Sequence, residues 1–138
     1  VFYVSNRKAP EEAPTRNNLT KLGYPIGDQD DRVLLRGEKE EWTSDKGTRR
    51  AVVAENYRIA LLIGDNLGDF LDDVDVTPTE RQKLFQDNAA HWGRDWIMLP
   101  NPSYGSWEGA SFGFNWGAAA EEKRQMKFDK MDDWKPAN

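Results

Sequence analysis

The 138 residues contain no cysteine and a single histidine. The lack of cysteine excludes disulfides, thiol nucleophiles and thiolate metal sites together. No apolar run approaches the roughly 20 residues of a membrane span. The formal net charge is -5 and no basic stripe runs along the chain, so a nucleic-acid polymer is not an expected partner. A small phosphate ligand held by one or two cations remains compatible with this composition.

The residues that are present favour one folded α/β domain. Hydrophobic residues make up 38% and aromatic residues 12%, enough for a core in a chain of this length. The patterns predict strands at residues 1–4, 32–36, 59–63 and 96–99, and helices at 15–22, 46–56, 78–92 and 118–131. Residues 112–116 are predicted to form an extended arm. This alternation is typical of an open, mostly parallel sheet, and the apolar run 59–63 is predicted to be a central strand that is covered on both faces.

Polar side chains follow three of the predicted strands. Because ligands collect at the carboxyl ends of parallel strands, these residues are predicted to line one edge of the sheet. They are Ser5, Asn6 and Arg7, then Asp65 and Asn66, and finally Asn101 and Tyr104.

Asp65 and Asp69 lie four residues apart, directly after the apolar run, with Gly64 and Gly68 beside them. Carboxylates at a strand end suit a hard cation such as Mg²⁺, which takes one or two protein carboxylates and keeps several waters. The alternative is a solvated turn with a helix-capping aspartate.

Three further residues could bind a phosphate. Ser5 and Asn6 offer a hydroxyl and backbone N–H groups, although strand-end capping would use them equally well. Lys46 stands where a helix is predicted to start, and the helix dipole favours negative charge there. That mismatch hints at a role for Lys46, and a solvated surface lysine is the alternative.

The aromatic residues and the histidine give weaker signals. His91 lies late in a predicted helix beside Trp92, where a surface or packing role is expected, so a Ser-His-Asp hydrolase is poorly supported. Tyr104 and Trp107, in a proline-rich loop, are the pair predicted to stack on a ligand.

The segment 73–77 matches D-x-D-x-T, the nucleophile motif of haloacid-dehalogenase phosphatases. That motif belongs at the end of a buried strand, and the three residues before Asp73 are too short a run for one. Thr77 is also predicted to cap the next helix, so the match is rejected.

Four blocks taken together, 1–7, 44–46 with Arg49, 64–70 and 99–108, resemble the class C acid phosphatases, a family that includes the bacterial lipoprotein e(P4) 5′-nucleotidases. The resemblance implies a haloacid-dehalogenase Rossmann-like open sheet with helices on both faces. It also implies that residues 1–138 are the C-terminal part of a single phosphatase domain. The implied activity is hydrolysis of phosphomonoesters such as nucleoside 5′-monophosphates.

The same resemblance implies roles for individual residues. Ser5 would bind phosphate oxygens together with the Asn6 backbone, and Lys46 would neutralise the charge of nucleophile and phosphoryl group. Asp65 would ligate Mg²⁺, with Asp69 ligating it directly or through water. The substrate-binding residues would also include Arg7, Tyr104 and Trp107.

The implied nucleophile and acid/base aspartates do not match any residue of this chain. They are expected upstream of Val1, on the central strand between the first and third strands predicted here. The chain opens inside an apparent strand without methionine, which also predicts a piece of a longer protein. The isolated chain is therefore expected neither to turn over substrate nor to fold stably.

The resemblance further implies a bacterial protein outside the cytoplasm, whether periplasmic, anchored to the outer membrane or secreted. Its only membrane attachment would be an upstream lipid anchor, and a homodimer is compatible with it. Two other readings stay open: a non-catalytic nucleotide- or phosphate-binding relative, or an inactive fragment. A phospho-receiver domain is disfavoured because its lysine follows the last sheet strands, whereas Lys46 precedes Asp65.

Overall fold

The computed structural model of the chain describes residues 1–27 and 31–131. The chain divides into two units. The first comprises Val1–Leu62 and Gly68–Asp72, and the second Ile63–Leu67 and Asp73–Asn138, each as far as the structure describes it.

The first unit contains β1 (Tyr3–Lys8), a short 3-10 helix (Ala9–Glu11), α1 (Glu12–Lys21), β2 (Val33–Arg36) and α2 (Gly47–Asn56). Strands β1 and β2 pair in parallel, with Tyr3 opposite Val33 and Ser5 opposite Leu35. An irregularity between Ser5 and Lys8 shifts the register at the end of β1. The intervening α1 makes the crossover that a parallel pair requires.

The core of the first unit lies where β2 and α2 meet. Leu34, Trp42 and Val53 form a buried cluster, and three partly buried residues pack against it: Phe2, Val4 and Val52. Val4 of β1 and Leu34 of β2 therefore pack with Val52 and Val53 of α2.

The second unit begins within β3 (Leu62–Gly64), whose first residue is counted with the first unit. A 3-10 turn follows at Leu67–Asp69, of which only Leu67 is counted with the second unit. The unit then continues with α3 (Pro78–Asp87), β4 (Trp96–Met98), α4 (Ser106–Ser111) and α5 (Ala120–Asp129). Strands β3 and β4 pair, and the Leu99 N–H donates to the Gly64 carbonyl at 2.7 Å. The buried hydrophobic residues of this unit are Leu67, Val74, Ala110 and Phe112.

Helix α3 begins as the sequence predicts. The Thr77 hydroxyl accepts from the Glu80 N–H at 3.3 Å, and the Glu80 carboxylate accepts from the Thr77 N–H at 2.9 Å. Pro78 occupies the first helical position, where its missing N–H costs nothing. The helix ends earlier than predicted, at Asp87, but Trp92 still stacks on Phe85 with ring centroids 4.9 Å apart.

The first strand is longer than predicted. Ser5, Asn6 and Arg7, expected in a loop after it, lie inside β1, which continues to Lys8. The physical reason is the parallel ladder with β2, whose Arg36 pairs with Lys8 beyond the register shift.

The apolar run 59–63 does not form a fully buried strand. Only Leu62–Gly64 is a strand, and Leu61 and Ile63 keep 48% and 60% of their surface exposed. The reason is that β3 pairs with a single neighbour, β4, within the part of the chain that the structure describes.

The predicted extended arm at 112–116 is wrong. Phe112 closes α4, and the backbone then turns through Gly113 and Phe114, with φ of 61° and 57°. The turn brings the rings of Phe112 and Trp116 to 4.8 Å, edge to face. The apolar alternation therefore reflects aromatic packing within a turn.

The strands among the described residues form two two-stranded sheets, β1 with β2 and β3 with β4. The predicted α/β class is confirmed, with parallel pairing and intervening helices. No helix among the described residues has both the length and the apolar character needed to cross a bilayer.

Candidate functional site

Lys46 occupies the N-cap position of α2, in the first unit. Its ammonium group donates to a carboxylate oxygen of Asp69, and both side chains are largely buried. An exposed ion pair of this kind contributes little, whereas a partly buried one fixes the position of both charges. Lys46 is therefore a cation held in place by Asp69, which we call the held cation, and not a solvated surface lysine.

Asp69, which pairs with Lys46, and Asp72 offset the unfavourable positive charge at the start of α2. The Asp72 carboxylate accepts from the Gly47 N–H at 2.8 Å and from Arg50 at 2.9 Å. Arg50 also donates to the Asp69 carbonyl at 3.1 Å. A Cβ on Gly47 would come within 1.7 Å of the Asp72 carboxylate, so only glycine permits this approach.

Ser5 and Asn6, in the middle of β1, are held by α2. Arg49 donates to the Ser5 carbonyl at 2.6 Å and to the Asn6 amide oxygen at 2.7 Å. The Ser5 hydroxyl accepts from the Arg7 N–H at 3.2 Å, which leaves its own hydrogen for an incoming oxygen. The Arg7 guanidinium extends along the surface, 3.8 Å from the Glu11 carboxylate.

In the second unit, Asn101 links the ends of β3 and β4. Its amide N–H donates to the Asp65 carboxylate at 3.0 Å, while its amide oxygen accepts from the N–H groups of Ser103 and Tyr104 at 3.1 and 3.4 Å. The Tyr104 side chain is 72% exposed. The prediction that polar residues after the third and fourth strands lie together is confirmed for Asp65 and Asn101.

An open cleft of about 330 Å³ lies within the second unit. Its lining includes Asp65, Asn66, Arg81, Phe85, Met98 and Trp107. Arg81 donates to Ser106 at 3.0 Å, and the Ser106 hydroxyl donates to the Asn66 amide oxygen at 2.7 Å. Burial lowers the pKa of Arg81 from its ordinary value. One wall of the cleft is therefore polar and fixed, and the other is aromatic and aliphatic.

The predicted site residues fall into two groups. Ser5, Asn6, Arg7, Lys46 and Asp69 belong to the first unit. The second unit holds the other three, Asp65, Tyr104 and Trp107. Their assigned roles in catalysis, substrate binding and metal binding stay predictions.

The donor chemistry at Asp65 and Asp69 fits Mg²⁺. Both offer carboxylate oxygens, and Mg²⁺ takes only one or two of these with water completing its shell. Within 1–27 and 31–131, no three or more acidic or histidine side chains gather into a group able to hold a metal ion.

Two other sequence interpretations concern residues outside this group. His91 stacks on Trp96 at 4.4 Å and contacts Asp95 through Nδ1 at 3.0 Å, which agrees with the predicted packing role. Thr77 caps α3, and Asp73 lies in irregular backbone with φ of 53°. Both observations agree with rejecting 73–77 as a nucleophile motif.

Comparison with known families gives the class of protein. The model of the haloacid-dehalogenase superfamily, subfamily IIIB (acid phosphatase), matches residues 1–107. The chain belongs to this family.

Two solved structures refine that assignment. One is the class C acid phosphatase from Bacillus anthracis, which is 32% identical to this chain with a TM-score of 0.86. The other is the class C acid phosphatase from Bacillus anthracis with tungstate bound, 33% identical and also with a TM-score of 0.86. Each alignment covers 97% of this chain and 55% of the solved one, so the chain spans little more than half the length of these relatives.

Sequence reasoning missed two residues that organise these groups. The sequence predicts that Asn101 lies at a strand end but indicates no role for it. Arg49 is indicated only as one residue of the block that resembles the acid phosphatases. Asn101 could have been found from its position after β4, opposite Asp65. Arg49 could not, because three of its four acceptors are backbone carbonyls.

Proposed function

We propose that this chain is the C-terminal part of a magnesium-dependent acid phosphatase that hydrolyses phosphomonoesters, nucleoside 5′-monophosphates among them. Membership of the acid phosphatase family supports the reaction class. The observation that carries the proposal is the held cation, Lys46, paired with Asp69 at the start of α2. The Lys46 and Asp69 side chains keep only 17% and 12% of their surface exposed, so the charge of Lys46 is fixed in one place.

Lys46 would stabilise charge on the transferring phosphoryl group. A cation about 4 Å from an anion contributes of the order of 4 kcal/mol at an effective dielectric near 20. Because Lys46 is already fixed by Asp69, little reorganisation would be needed as charge develops.

Ser5 and Asn6 would bind the phosphate oxygens. The Ser5 hydroxyl hydrogen and the Asn6 backbone N–H are the donors proposed for this contact. The Asn6 side chain is engaged elsewhere, with Arg49 and with the Ser44 carbonyl at 2.8 Å. Arg7 would add a positive charge on the same strand.

Tyr104 and Trp107 would contact the leaving group. Tyr104 is exposed and offers a flat ring, and Trp107 lines the cleft in its own unit. A nucleobase is one leaving group that stacks on such rings.

Asp65 and Asp69 are the proposed ligands of Mg²⁺. When bound, the metal would supply positive charge to the phosphoryl oxygens. Asn101 would keep the Asp65 carboxylate in one orientation, as partners of metal ligands commonly do.

The attacking aspartate and the acid/base aspartate are proposed to lie upstream of Val1. Hydrolysis would then pass through an aspartyl-phosphate formed on that upstream residue. We call the longer protein that contains this chain and that segment the parent protein. A bacterial location outside the cytoplasm, an upstream lipid anchor and a homodimer are proposed for it by family likeness alone.

The test is hydrolysis of p-nitrophenyl phosphate and a nucleoside 5′-monophosphate by the parent protein. We expect turnover with Mg²⁺ and its loss with EDTA. Lys46→Gln should lower kcat about 10²–10³-fold, the usual cost of removing a group that stabilises transition-state charge. The matched control is Lys83→Gln, which removes a lysine paired with Asp87 on the surface of α3 and should leave kcat unchanged.

Other outcomes would favour the alternatives. A parent protein that binds orthophosphate without turning over either substrate would be a non-catalytic binding relative. Unchanged kcat in Lys46→Gln would remove the role proposed for that residue.

A further inference from the structure

Arg49 in α2 is a charged side chain with 0% of its surface exposed. Burial lowers the pKa of its guanidinium from the ordinary value, and the charge of Glu38 opposes that effect. A buried charge is costly unless it is fully hydrogen-bonded, and a hydrophobic side chain of similar volume is often more stabilising. Arg49 therefore requires an explanation beyond core packing.

The hydrogen bonds of Arg49 join two separate segments. It donates to the Ser5 carbonyl and the Asn6 amide oxygen, in the middle of β1. It also donates to the carbonyls of Thr43 and Asp45 at 2.9 and 3.1 Å. One rigid guanidinium thus connects β1 to the loop that precedes α2.

Asn6 completes this connection. While its amide oxygen accepts from Arg49, its amide N–H donates to the Ser44 carbonyl at 2.8 Å. The three consecutive carbonyls of Thr43, Ser44 and Asp45 are therefore all held, and the next residue is Lys46.

We propose that Arg49 is a positioning residue that sets the place of Lys46 relative to Ser5 and Asn6. It acts through the loop 43–45 and the Asn6 side chain, and it does not touch substrate. The proposal rests on the phosphatase function proposed above.

The planar fork of arginine suits this task, because it donates several hydrogen bonds in fixed directions. Lysine keeps the charge but is a single compact donor on a flexible stem. In Arg49→Lys the loop and β1 would no longer be held by one group, and Lys46 would lose its fixed distance from the phosphate-binding residues.

The experiment compares Arg49→Lys with Val53→Ala in the parent protein. Val53 lies on the same helix, in the buried cluster with Leu34 and Trp42, so its truncation destabilises the unit and removes none of the hydrogen bonds that Arg49 and Asn6 donate to the loop. We expect kcat for p-nitrophenyl phosphate to fall about 10²-fold in Arg49→Lys, the scale of a misplaced catalytic group. Val53→Ala should lower Tm and keep kcat close to wild type. Retained kcat in Arg49→Lys, or an equal loss of kcat in Val53→Ala, would overturn the proposal.

A second measurement is independent of catalysis. Hydrogen exchange at the amides of residues 43–47 should accelerate in Arg49→Lys and stay unchanged in Val53→Ala. If the wild-type parent protein hydrolyses nothing, the proposed function fails, and faster exchange still supports the holding role of Arg49. Unchanged exchange overturns that role whatever the activity.

Discussion

Lys46 is a cation at a helix terminus whose dipole favours anions. Asp72 satisfies the Gly47 N–H and Asp69 pairs with the ammonium group, so carboxylates supply the negative charge that the terminus favours. The two aspartates belong to one short segment, 68–72, which makes the environment of Lys46 depend on the turn after β3. The charge at the helix start is thus balanced by residues distant in sequence.

Asn101 allows the role of Asp65 to be tested at the scale of one side chain. Asn101→Ala removes the donor that orients the Asp65 carboxylate. We expect the Mg²⁺ concentration for half-maximal activity of the parent protein to rise about 10–100-fold, the usual effect of losing a partner of a metal ligand. Titration of activity with Mg²⁺ measures this.

The control for Asn101→Ala is Gln125→Ala. Gln125 also donates an amide hydrogen bond to a carboxylate, that of Asp129 at 2.8 Å, on the exposed face of α5. Its removal should leave the Mg²⁺ requirement unchanged. If both variants behave like wild type, Asp65 is not a ligand that depends on Asn101.

At the scale of an element, α3 depends on its capping box. Thr77→Ala removes the hydroxyl that accepts from the Glu80 N–H, and we expect a loss of about 1 kcal/mol in the free energy of unfolding of the parent protein. Hydrogen bonds from the Thr77 hydroxyl and N–H lower the pKa of Glu80. The ionised form is therefore favoured by folding, and its contribution is complete above the ordinary pKa of glutamate. It is lost as the pH falls through the lowered pKa.

The difference between Thr77→Ala and wild type should accordingly shrink as the pH falls below about 4, near the ordinary pKa of glutamate. Urea unfolding at several pH values measures it. Thr79→Ala is the control, since Thr79 is exposed in the first turn of the same helix. A difference that is constant with pH, or equal for both variants, would contradict the expectation.

The start of α3 could be predicted from sequence because its cap is local. Thr77, Pro78 and Glu80 lie within four residues, and their hydrogen bonds need no other part of the chain. The burial of the run 59–63 could not be predicted in the same way, because it depends on which strands pair with β3. The end of β1 could not be predicted for a similar reason, since the ladder with β2 extends the strand to Lys8.

In the candidate site, too, the features that depend on local sequence could be predicted and those that depend on tertiary contacts could not. The position of Asp65 follows from the general rule that ligands bind at the carboxyl ends of parallel strands. The hydrogen bond from Asn101 to Asp65 confirms that the ends of β3 and β4 lie together, as the rule predicts. The pairing of Lys46 with Asp69 and the contacts of Arg49 depend on tertiary structure, so the sequence could suggest that Lys46 mattered but not what holds it.

At the scale of the whole chain, the described strands form two pairs, and apolar side chains beside β3 stay exposed. Exposed apolar surface of this kind costs stability, since each large aliphatic side chain contributes about 1.5–3 kcal/mol when fully buried. We expect the isolated 138-residue chain to bind a hydrophobic dye and to lack a cooperative thermal transition, and the parent protein to show the opposite. Dye fluorescence and calorimetry of both proteins measure this.

The same pair of proteins tests where the nucleophile lies. We expect the isolated chain to release no phosphate from p-nitrophenyl phosphate with Mg²⁺, because its one D-x-D-x-T segment lies in irregular backbone that ends in a helix cap rather than at a strand end. The parent protein, assayed at equal molar concentration, is the positive control. Release of phosphate by the isolated chain that stops with EDTA would place a nucleophile within these residues. Loss of that release in Asp73→Asn would then identify Asp73, whose exclusion rests on its φ of 53° and on the capping role of Thr77.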